Sequence, residues 1–491
     1  MGHKVSERGR WNQHQIDVLG SAQNTGVVTK AAELATELRS MILAGRYRPG
    51  DPLPSVRALA SEWSLSIITV RSALYLLERE GLVRISPRSA TRVRSRRLRE
   101  PPTLSAAIEA VDPTDPRLHI AEQYRRLASR GPGLAVALPG ADLRPTGAIR
   151  RALARWRPHL VEPGSDLGLE ALRSALVRRY WSVNGPTEPE HLLVTSGTTE
   201  SLFLLFCAFL KPGDAVAIES PTYFDYFAPL AAAGAVVVSV PCQPRTGLDV
   251  GALERAVEAR RIEMVICQPN VHNPLGTILP DDEKRRLVEL SRRAGFLLVQ
   301  DDTFGDLAYA QRRPANLSTW GDAPGVFVLG SASKWLDPGL RVGWIRSPLH
   351  VERLGAIKRR ASGPTGLHAQ AAVAEVLELP SLSRKLAALR NGLQARVAEY
   401  IELLSRTLPE GCSLVRPEGG CLLWLQLPEG TDASRLFRLA VAQGTVVAPG
   451  EIFSTEPAAR RCVRINAGNP LTPERRSALK GLAELARVRR P

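Results

Sequence analysis

Cysteine is scarce in this chain. Six residues of 491 (Cys207, Cys242, Cys267, Cys412, Cys421 and Cys462) lie scattered, with no C-x-x-C pair and no histidine at metal-ligand spacing. That excludes a disulfide-stapled scaffold and leaves no metal motif to read, so reduced, mostly buried thiols are expected. Long apolar runs are missing too. The longest strongly apolar stretch, residues 201–210, is far short of the roughly 20 residues needed to span a bilayer. The opening MGHKVSERGRWNQHQ has no apolar core behind its charges, so no secretory leader is expected. No internal repeat shows. Together these absences point to a cytoplasmic chain. What is present, 44% apolar and 23% charged residues with 39 Gly and 37 Pro, is the composition of an ordinary folded protein. At about 100–200 residues per domain, two to four domains are expected.

Positive charge is unevenly spread. Lys and Arg outnumber Asp and Glu by 65 to 49, a formal net charge of +16. Residues 30–99 hold 14 basic and 6 acidic side chains, so 70 residues carry half of that excess. Such density is the footprint of a nucleic-acid-binding module, although a solvated basic face would show the same numbers. The pattern within the segment decides. Residues 1–29 are polar and aperiodic and read as a flexible arm. From Lys30 the periodicity turns helical, with Leu34, Leu38, Met41 and Ile42 at i, i+4, i+7 and i+8. Gly45 and then Pro49-Gly50-Asp51-Pro52 end that helix. A second helix runs through Val56-Arg57-Ala58-Leu59-Ala60, and a third from about Ser66 to Arg79 puts Val70, Ala73, Leu74 and Leu77 on one face. Leu82-Val83-Arg84-Ile85 and Thr91-Arg92-Val93 read as two short strands. Three helices and a small hairpin over residues 30–93 make a winged helix-turn-helix plan, a small α+β domain.

Residues 94–133 differ, with a run of arginines, Pro101-Pro102, Pro113, Pro116 and Pro132, and one short helical stretch near residues 120–129. That is a linker composition. Residues 134–491 alternate helical stretches with apolar, β-rich runs at 192–195, 215–219, 236–240, 264–268, 296–300 and 326–329. Strands separated by helices imply an α/β domain with a mostly parallel, doubly wound sheet. Ligands bind such sheets outside the carboxyl ends of the strands, so the loops leaving those runs are where chemistry is sought.

Five loops carry candidates. Thr195-Ser196-Gly197-Thr198-Thr199-Glu200 could lay backbone N–H groups against a phosphate at a helix start, though a plain helix cap explains it as well. Glu219-Ser220-Pro221-Thr222-Tyr223 puts an aromatic ring at a strand end, where packing is the bland alternative. Asn270-Val271-His272-Asn273-Pro274-Leu275-Gly276 is a tight turn bearing an amide. Asp301-Asp302 follows an apolar strand directly, a costly place for a carboxylate unless a partner holds it charged. Gly330-Ser331-Ala332-Ser333-Lys334, with Arg341 seven residues on, sets a lysine at a strand mouth, where desolvation makes an amine nucleophilic. One lysine for an imine, one carboxylate for a ring nitrogen, one amide for a phenolate and an Arg-plus-hydroxyl cluster for a phosphate together describe a pyridoxal phosphate site.

These motifs, SASK-x6-R and NPLG in register, make residues 134–491 resemble the fold-type I aminotransferases. Residues 30–93 resemble the winged helix of GntR-type repressors through Leu53-Pro54-Ser55-Val56-Arg57, Thr69-Val70-Arg71-Ser72-Ala73-Leu74 and Glu80-Gly81-Leu82. The two joined by a linker resemble the MocR subfamily of transcriptional regulators. The resemblance implies pyridoxal 5'-phosphate as cofactor, with Lys334 as its imine partner and Asp301 on its pyridinium nitrogen, the two catalytic positions. It implies Asn273 on the ring oxygen and Tyr223 on the ring face. Ser331, Ser333, Arg341 and the backbone of Gly197, Thr198 and Thr199 would hold the phosphate. Arg464, in Cys462-Val463-Arg464-Ile465-Asn466, would clamp a ligand carboxylate. No metal is implied. On the DNA side the candidate contacts are Arg57, Ser66, Ile68, Thr69, Arg71, Arg88 and Arg92, with a duplex operator and a homodimer as implied partners.

The chain also departs from that pattern. Where the family often has a tyrosine shortly after the aspartate, Thr303 and Phe304 stand, so Asn273 would act alone on the ring oxygen. The tyrosine that commonly precedes Gly168-Leu169-Glu170-Ala171-Leu172-Arg173 is missing. Ile68 points off the buried face of its helix, and a thymine methyl is the expected contact, with a second protein surface as the alternative. The wing reads Pro87-Arg88-Ser89-Ala90-Thr91 without glycines, leaving Arg88 and Arg92 for phosphates or the minor groove. One reading is thus a regulator that senses an amino acid, an amine or the cofactor itself by amine exchange at Lys334. The other is a working aminotransferase on an α-amino acid. A cofactor-free scaffold is disfavoured because Lys334, Asp301 and Arg341 all remain.

Overall fold

Three apolar stripes build the amino-terminal unit. Helix α1 (Thr25–Leu43) turns Ala31, Leu34, Ala35, Leu38 and Ile42 inward at helical spacing. Helix α2 (Val56–Glu62) adds Leu59, and helix α3 (Ile67–Arg79) adds Val70, Ala73, Leu74 and Leu77, all in one core with Val83 and Val93. Serines start both short helices: the Ser55 hydroxyl accepts from the Ala58 amide at 3.1 Å and the Ser66 hydroxyl from the Thr69 amide at 3.1 Å. Strands β1 (Val83–Arg84) and β2 (Arg92–Val93) pair antiparallel as the wing.

The computed structural model describes residues 25–43, 46–47, 50–80, 82–86, 90–93, 107–110, 115–155, 166–181, 187–322 and 325–487. Most of the expected arm, together with Gly45, Pro49, Gly81, Pro87, Arg88 and Ser89, lies outside them. The chain divides into two units, one of Met1–Arg97 with Ser405–Thr407 and one of Leu98–Leu404 with Leu408–Pro491. Helix α1 starts earlier than its apolar stripe, at Thr25 rather than Lys30. Gly26 and two β-branched valines disguise that first turn, being poor helix formers.

Residues 94–133 are not all linker. Strand β3 (Ala107–Ala110) pairs antiparallel with β6 (Val236–Gln243), and helix α4 (Pro116–Leu127) buries Ala121 and Tyr124 against Phe224, Trp424 and Phe453. Asp115 caps α4 and Pro116 sits in its first turn, a good start for a helix rather than a break. Proline density pointed to a connector, and here it marks a boundary.

The large sheet runs β3-β6-β5-β8-β9-β10-β11-β4, where β4 is Leu192–Thr195, β5 is Ala215–Ser220, β8 is Met264–Cys267, β9 is Leu297–Asp301, β10 is Val326–Ser331 and β11 is Gly343–Arg346. A short β7 (Gly247–Leu248) pairs with β6. From β6 to β10 neighbours are parallel, and β11 runs antiparallel to both β10 and β4. Side chains alternate between two buried faces. Val216 and Ile218 join the core under the helix Thr198–Phe209, while Ala215 and Ala217 join the core under the helices Val250–Ala259 and Asp281–Ala294. That is the doubly wound arrangement expected, in which strands apolar on both faces are sandwiched by helices. A second sheet, β12 (Ser413–Leu414), β13 (Leu422–Gln426), β15 (Cys462–Asn466) and β14 (Ala448–Pro449) in that order, is antiparallel and packs on the helix Leu382–Thr407. Among the described residues no helix is long and apolar enough to cross a membrane.

Candidate functional site

Five carboxyl strand ends open on one pocket. Its lining takes Thr198 and Thr199 from the loop after β4, Tyr223 from that after β5 and Asn273 from that after β8, with Asp301 from β9 and Ser331, Ser333, Lys334 and Arg341 from β10 and the loop beyond it. Of the predicted cofactor set only Gly197 does not line it, and Gly197 caps the helix whose first residues do.

The Gly197 backbone sits at φ +98°, and a Cβ there would stand 2.6 Å from Arg341 Nη2. The left-handed backbone favours glycine there, and a Cβ would also press on the guanidinium that approaches it. Arg341 itself holds φ +52° and donates Nη2–H to the Ser196 carbonyl at 2.8 Å. Such a backbone costs a non-glycine residue stability and is kept where its side chain must point one way. The cradle thus joins a helix N-terminus, the Thr198 and Thr199 hydroxyls and a guanidinium, with Ser331 and Ser333 hydrogen-bonded to each other at 3.0 Å alongside. It is an anion site by construction.

Strand geometry sorts the two aspartates. Consecutive residues face opposite sides of a strand. Asp301 faces the pocket, accepting from the Tyr226 hydroxyl at 2.6 Å, the Thr303 amide at 3.0 Å and the Thr303 hydroxyl at 2.5 Å. Asp302 turns away, held by the Arg313 guanidinium and by Asn270 Nδ2 at 2.9 Å. Burial, then Asp301, pushes the Tyr226 phenol well above its ordinary value, so it stays a donor to the carboxylate. Thr303, which stands where a family tyrosine was missed, braces Asp301.

Lys334 is partly buried and donates to the Ala137 carbonyl at 2.9 Å, with its Nζ 5.3 Å from the centre of the Phe304 ring. Desolvation lowers its amine to about 8, against which Cys421 and Asp301 pull upward. Asn273 donates its amide N–H to Gln268 Oε1 at 3.2 Å, and its Oδ1 accepts from Arg464 Nη1 at 3.1 Å. Its side-chain NH₂ therefore remains as a donor. Arg464, on β15, is 1% exposed and does not line the pocket. Tyr223 lines it, and its hydroxyl donates to Asp225 Oδ2 at 2.5 Å.

Gln268, Tyr226 and Tyr124 were not anticipated. No spacing rule finds them, because each reaches the site through a fold contact rather than a motif. A buried group of Glu219, Cys242 and His272 was also missed, its members coming from three separate strand ends. Both ring nitrogens of His272 are engaged: Nδ1 accepts from the Leu275 amide at 3.3 Å, and Nε2 lies 3.3 Å from Glu219 Oε2. Burial, with Glu219 adding to it, pushes the Cys242 thiol well above its ordinary value, so it stays protonated. Glu219 also accepts from the Gln268 amide at 2.8 Å, so the cluster ties β5 to the turn that presents Asn273. Arg173 is likewise structural, donating to the carbonyls of Pro189 at 2.6 Å and Gly168 at 3.2 Å.

In the amino-terminal unit Arg57, Arg71 and Arg92 are exposed, and Ile68 is 72% exposed. Ser66 is exposed but spends its hydroxyl on the helix cap. Thr69 is placed otherwise than expected: it is 4% exposed and its hydroxyl shares a 2.8 Å hydrogen bond with Ser66, so it braces the helix start and presents nothing outward. Arg88 lies outside the described residues.

A basic helix-turn-helix unit joined to a domain with this pocket defines a class, a DNA-binding regulator fused to an aminotransferase-like domain. Residues 164–479 match the family described as Aminotransferase class I and II, and residues 30–93 match Bacterial regulatory proteins, gntR family. The chain belongs to both families, in the MocR-type arrangement. It is 33% identical over 465 residues to the uncharacterised HTH-type transcriptional regulator YjiR of Escherichia coli (strain K12), covering 93% of this chain and 98% of that one. It is 29% identical to YdcR of the same organism, another uncharacterised HTH-type transcriptional regulator, over 94% of this chain and 99% of that one. Among solved structures it is similar to LysN, an alpha-aminoadipate aminotransferase from Thermus thermophilus, complexed with N-(5'-phosphopyridoxyl)-L-leucine. That likeness has a TM-score of 0.66 at 26% identity and covers 75% of this chain and 96% of that one.

Proposed function

We propose that this regulator binds pyridoxal 5'-phosphate in the pocket around Lys334 and senses an amino acid or amine there, changing how its amino-terminal unit grips a DNA operator. The observation that carries it is the coexistence, in one chain, of an exposed recognition helix and a complete Lys334–Asp301–Asn273–Arg341 pocket. The residues fit the cofactor: the Gly197 cradle has room where a Cβ would clash, and it presents hydroxyls and a guanidinium to a phosphate. When bound, the cofactor supplies an aldehyde that takes amines as imines and a ring that withdraws electrons. Lys334 offers an amine that desolvation keeps partly free of its proton near neutral pH. Asp301, fixed by Tyr226 and Thr303, holds a proton at the ring nitrogen. Asn273 would donate to the ring oxygen, and Tyr223 would cover the ring. Arg464 takes the ligand carboxylate. The protein works as a cytoplasmic homodimer, whose two-fold symmetry matches paired half-sites on the operator.

The test is to mix the cofactor-loaded protein with amino acids and keto acids while following the cofactor spectrum and binding to a selected duplex. A persistent spectral change accompanied by altered DNA affinity is the expected result. Rapid conversion to the amine form of the cofactor, with release of a keto acid and no change at the DNA, would establish an aminotransferase instead.

On the DNA side, Ile67, Ile68 and Tyr75 are 46%, 72% and 48% exposed on one side of α3, with Arg71 exposed among them. Apolar side chains offered to a major groove select thymine through its 5-methyl group. Ile68→Ala is expected to weaken binding to the selected duplex about fivefold, the equivalent of about 1 kcal/mol. Replacing the contacted thymine by uracil should cost the wild type the same and the variant nothing further. An unchanged base preference in Ile68→Ala would remove Ile68 from the groove.

A further inference from the structure

Helix α4 engages the carboxylate end and the ring end of the candidate site through two adjacent residues. A guanidinium holds a carboxylate two-pronged either through Nε with Nη2 or through Nη1 with Nη2, so both grips need Nη2. In Arg464 that nitrogen is spent: it donates to the Tyr124 hydroxyl at 2.7 Å and to the Ala135 carbonyl at 3.0 Å. Nη1 donates to Asn273, while Nε is buried without a hydrogen-bond partner among the described residues. The Tyr124 hydroxyl in turn donates to the Ala135 carbonyl at 2.8 Å. One residue on, Arg125 Nε donates to Asp225 Oδ1 at 2.9 Å, and Asp225 accepts from the hydroxyl of Tyr223. Along the chain, α4 follows the residues that lead out of the DNA-binding unit.

We propose that Tyr124 is the selectivity residue of this site, a stopper on Arg464 that only a ligand carboxylate displaces, so that carboxylate-bearing ligands shift α4 and simple amines do not. This rests on the pocket being an amine-binding site. A carboxylate offers Nη2 a charged acceptor in place of a neutral phenol oxygen, and charge-assisted hydrogen bonds are the stronger ones. An amine without a carboxylate reaches Lys334 and leaves the Tyr124–Arg464 contact standing. The backbone of α4 is thereby the element through which occupancy is passed toward the preceding segment.

The experiment compares the full-length, cofactor-loaded wild type with Tyr124→Phe. The phenylalanine keeps the ring that packs edge-on against Phe224 at 5.5 Å, so folding is retained. The probes are L-alanine and ethylamine, the same amine without its carboxylate, titrated by cofactor absorbance, with hydrogen exchange followed over residues 116–127. In Tyr124→Phe the half-saturating L-alanine concentration should fall about tenfold, the scale of one lost competing hydrogen bond to a charged group, and that for ethylamine should stay put. In the wild type L-alanine, and not ethylamine, should raise exchange in α4, and the variant should lose that difference. Weaker L-alanine binding in the variant, equal shifts for both amines, or α4 exchange indifferent to L-alanine in the wild type would each overturn the role of Tyr124. A wild type whose spectrum responds to neither amine would overturn the pocket reading beneath it.

Discussion

Lys334→Ala is expected to remove the imine absorption of the cofactor-loaded protein completely while the circular dichroism spectrum holds and the unfolding midpoint does not fall. The absorption needs a covalent carbon–nitrogen bond, and Lys334 is the only lysine among the pocket-lining residues. Stability should survive because the side chain gives up one hydrogen bond, to the Ala137 carbonyl, and little else. The amine is in fact a burden to the fold below pH 8. Its ordinary value of 10.5 is lowered to about 8, so folding disfavours the protonated form. The penalty is present in full below about pH 8 and disappears as the pH rises from there toward 10.5, the range in which the unfolded chain sheds the same proton. The wild type should accordingly gain stability on the variant across that range. The same value sets the uptake of cofactor by the empty protein: its rate should climb with pH and level off above about 8, where an unperturbed lysine would keep climbing toward 10.5. Absorption retained in Lys334→Ala would assign the bond to another lysine, and a rate still rising at pH 10 would refute the desolvated amine.

Where sequence reading succeeded it was reading strand ends. The apolar runs at 192–195, 215–219 and 326–329 stand out because both of their faces are buried, and β4, β5 and β10 occupy them. The polar residues that follow are conspicuous by contrast, which is why Asp301, Asn273 and Lys334 were legible. Three things were hidden. Strand β11 is four residues, Gly-Trp-Ile-Arg, and its glycine and arginine erase any strand signal. That glycine is needed because a Cβ on Gly343 would lie 2.7 Å from the Gly197 Cα, and the arginine is buried against Thr187 and Asp322. Helix α4 reads in the sequence only as a short stretch near residues 120–129 within a linker, its first turn masked by prolines that bound it rather than break it. Tyr124 then reaches Arg464 across 340 positions of sequence, a pairing no periodicity encodes. Thr69 misled for the opposite reason. Its position on a recognition helix suggests DNA, but a cap hydroxyl one turn before it captured its side chain.

Raising the salt concentration from 50 to 200 mM should weaken binding to duplex DNA by about a hundredfold. Each phosphate contact that displaces a condensed counterion steepens the logarithmic salt dependence by about 0.9. Among the described residues of α2, α3 and the wing strands, Arg57, Arg71, Arg84 and Arg92 are exposed and have no carboxylate partner. Arg39 is different: its guanidinium meets the Glu80 carboxylate at 2.5 Å and has little charge to offer a phosphate. Four contacts give a slope of about −3.6, hence about two orders of magnitude for a fourfold change in salt. Single substitutions then separate two kinds of arginine. Arg92→Ala, on the wing, should lower the slope by about one and weaken all sequences alike, because a phosphate carries no base identity. Arg71→Ala, on the face of α3 beside Ile68, should also change which base pair is preferred at its position, since arginine pairs two-pronged with guanine in the major groove. A fluorescence-anisotropy titration over the salt series measures both. A flat response would mean that the +8 concentrated in residues 30–99 does not meet the phosphate backbone, and the DNA-binding surface would have to be sought away from α3 and its wing.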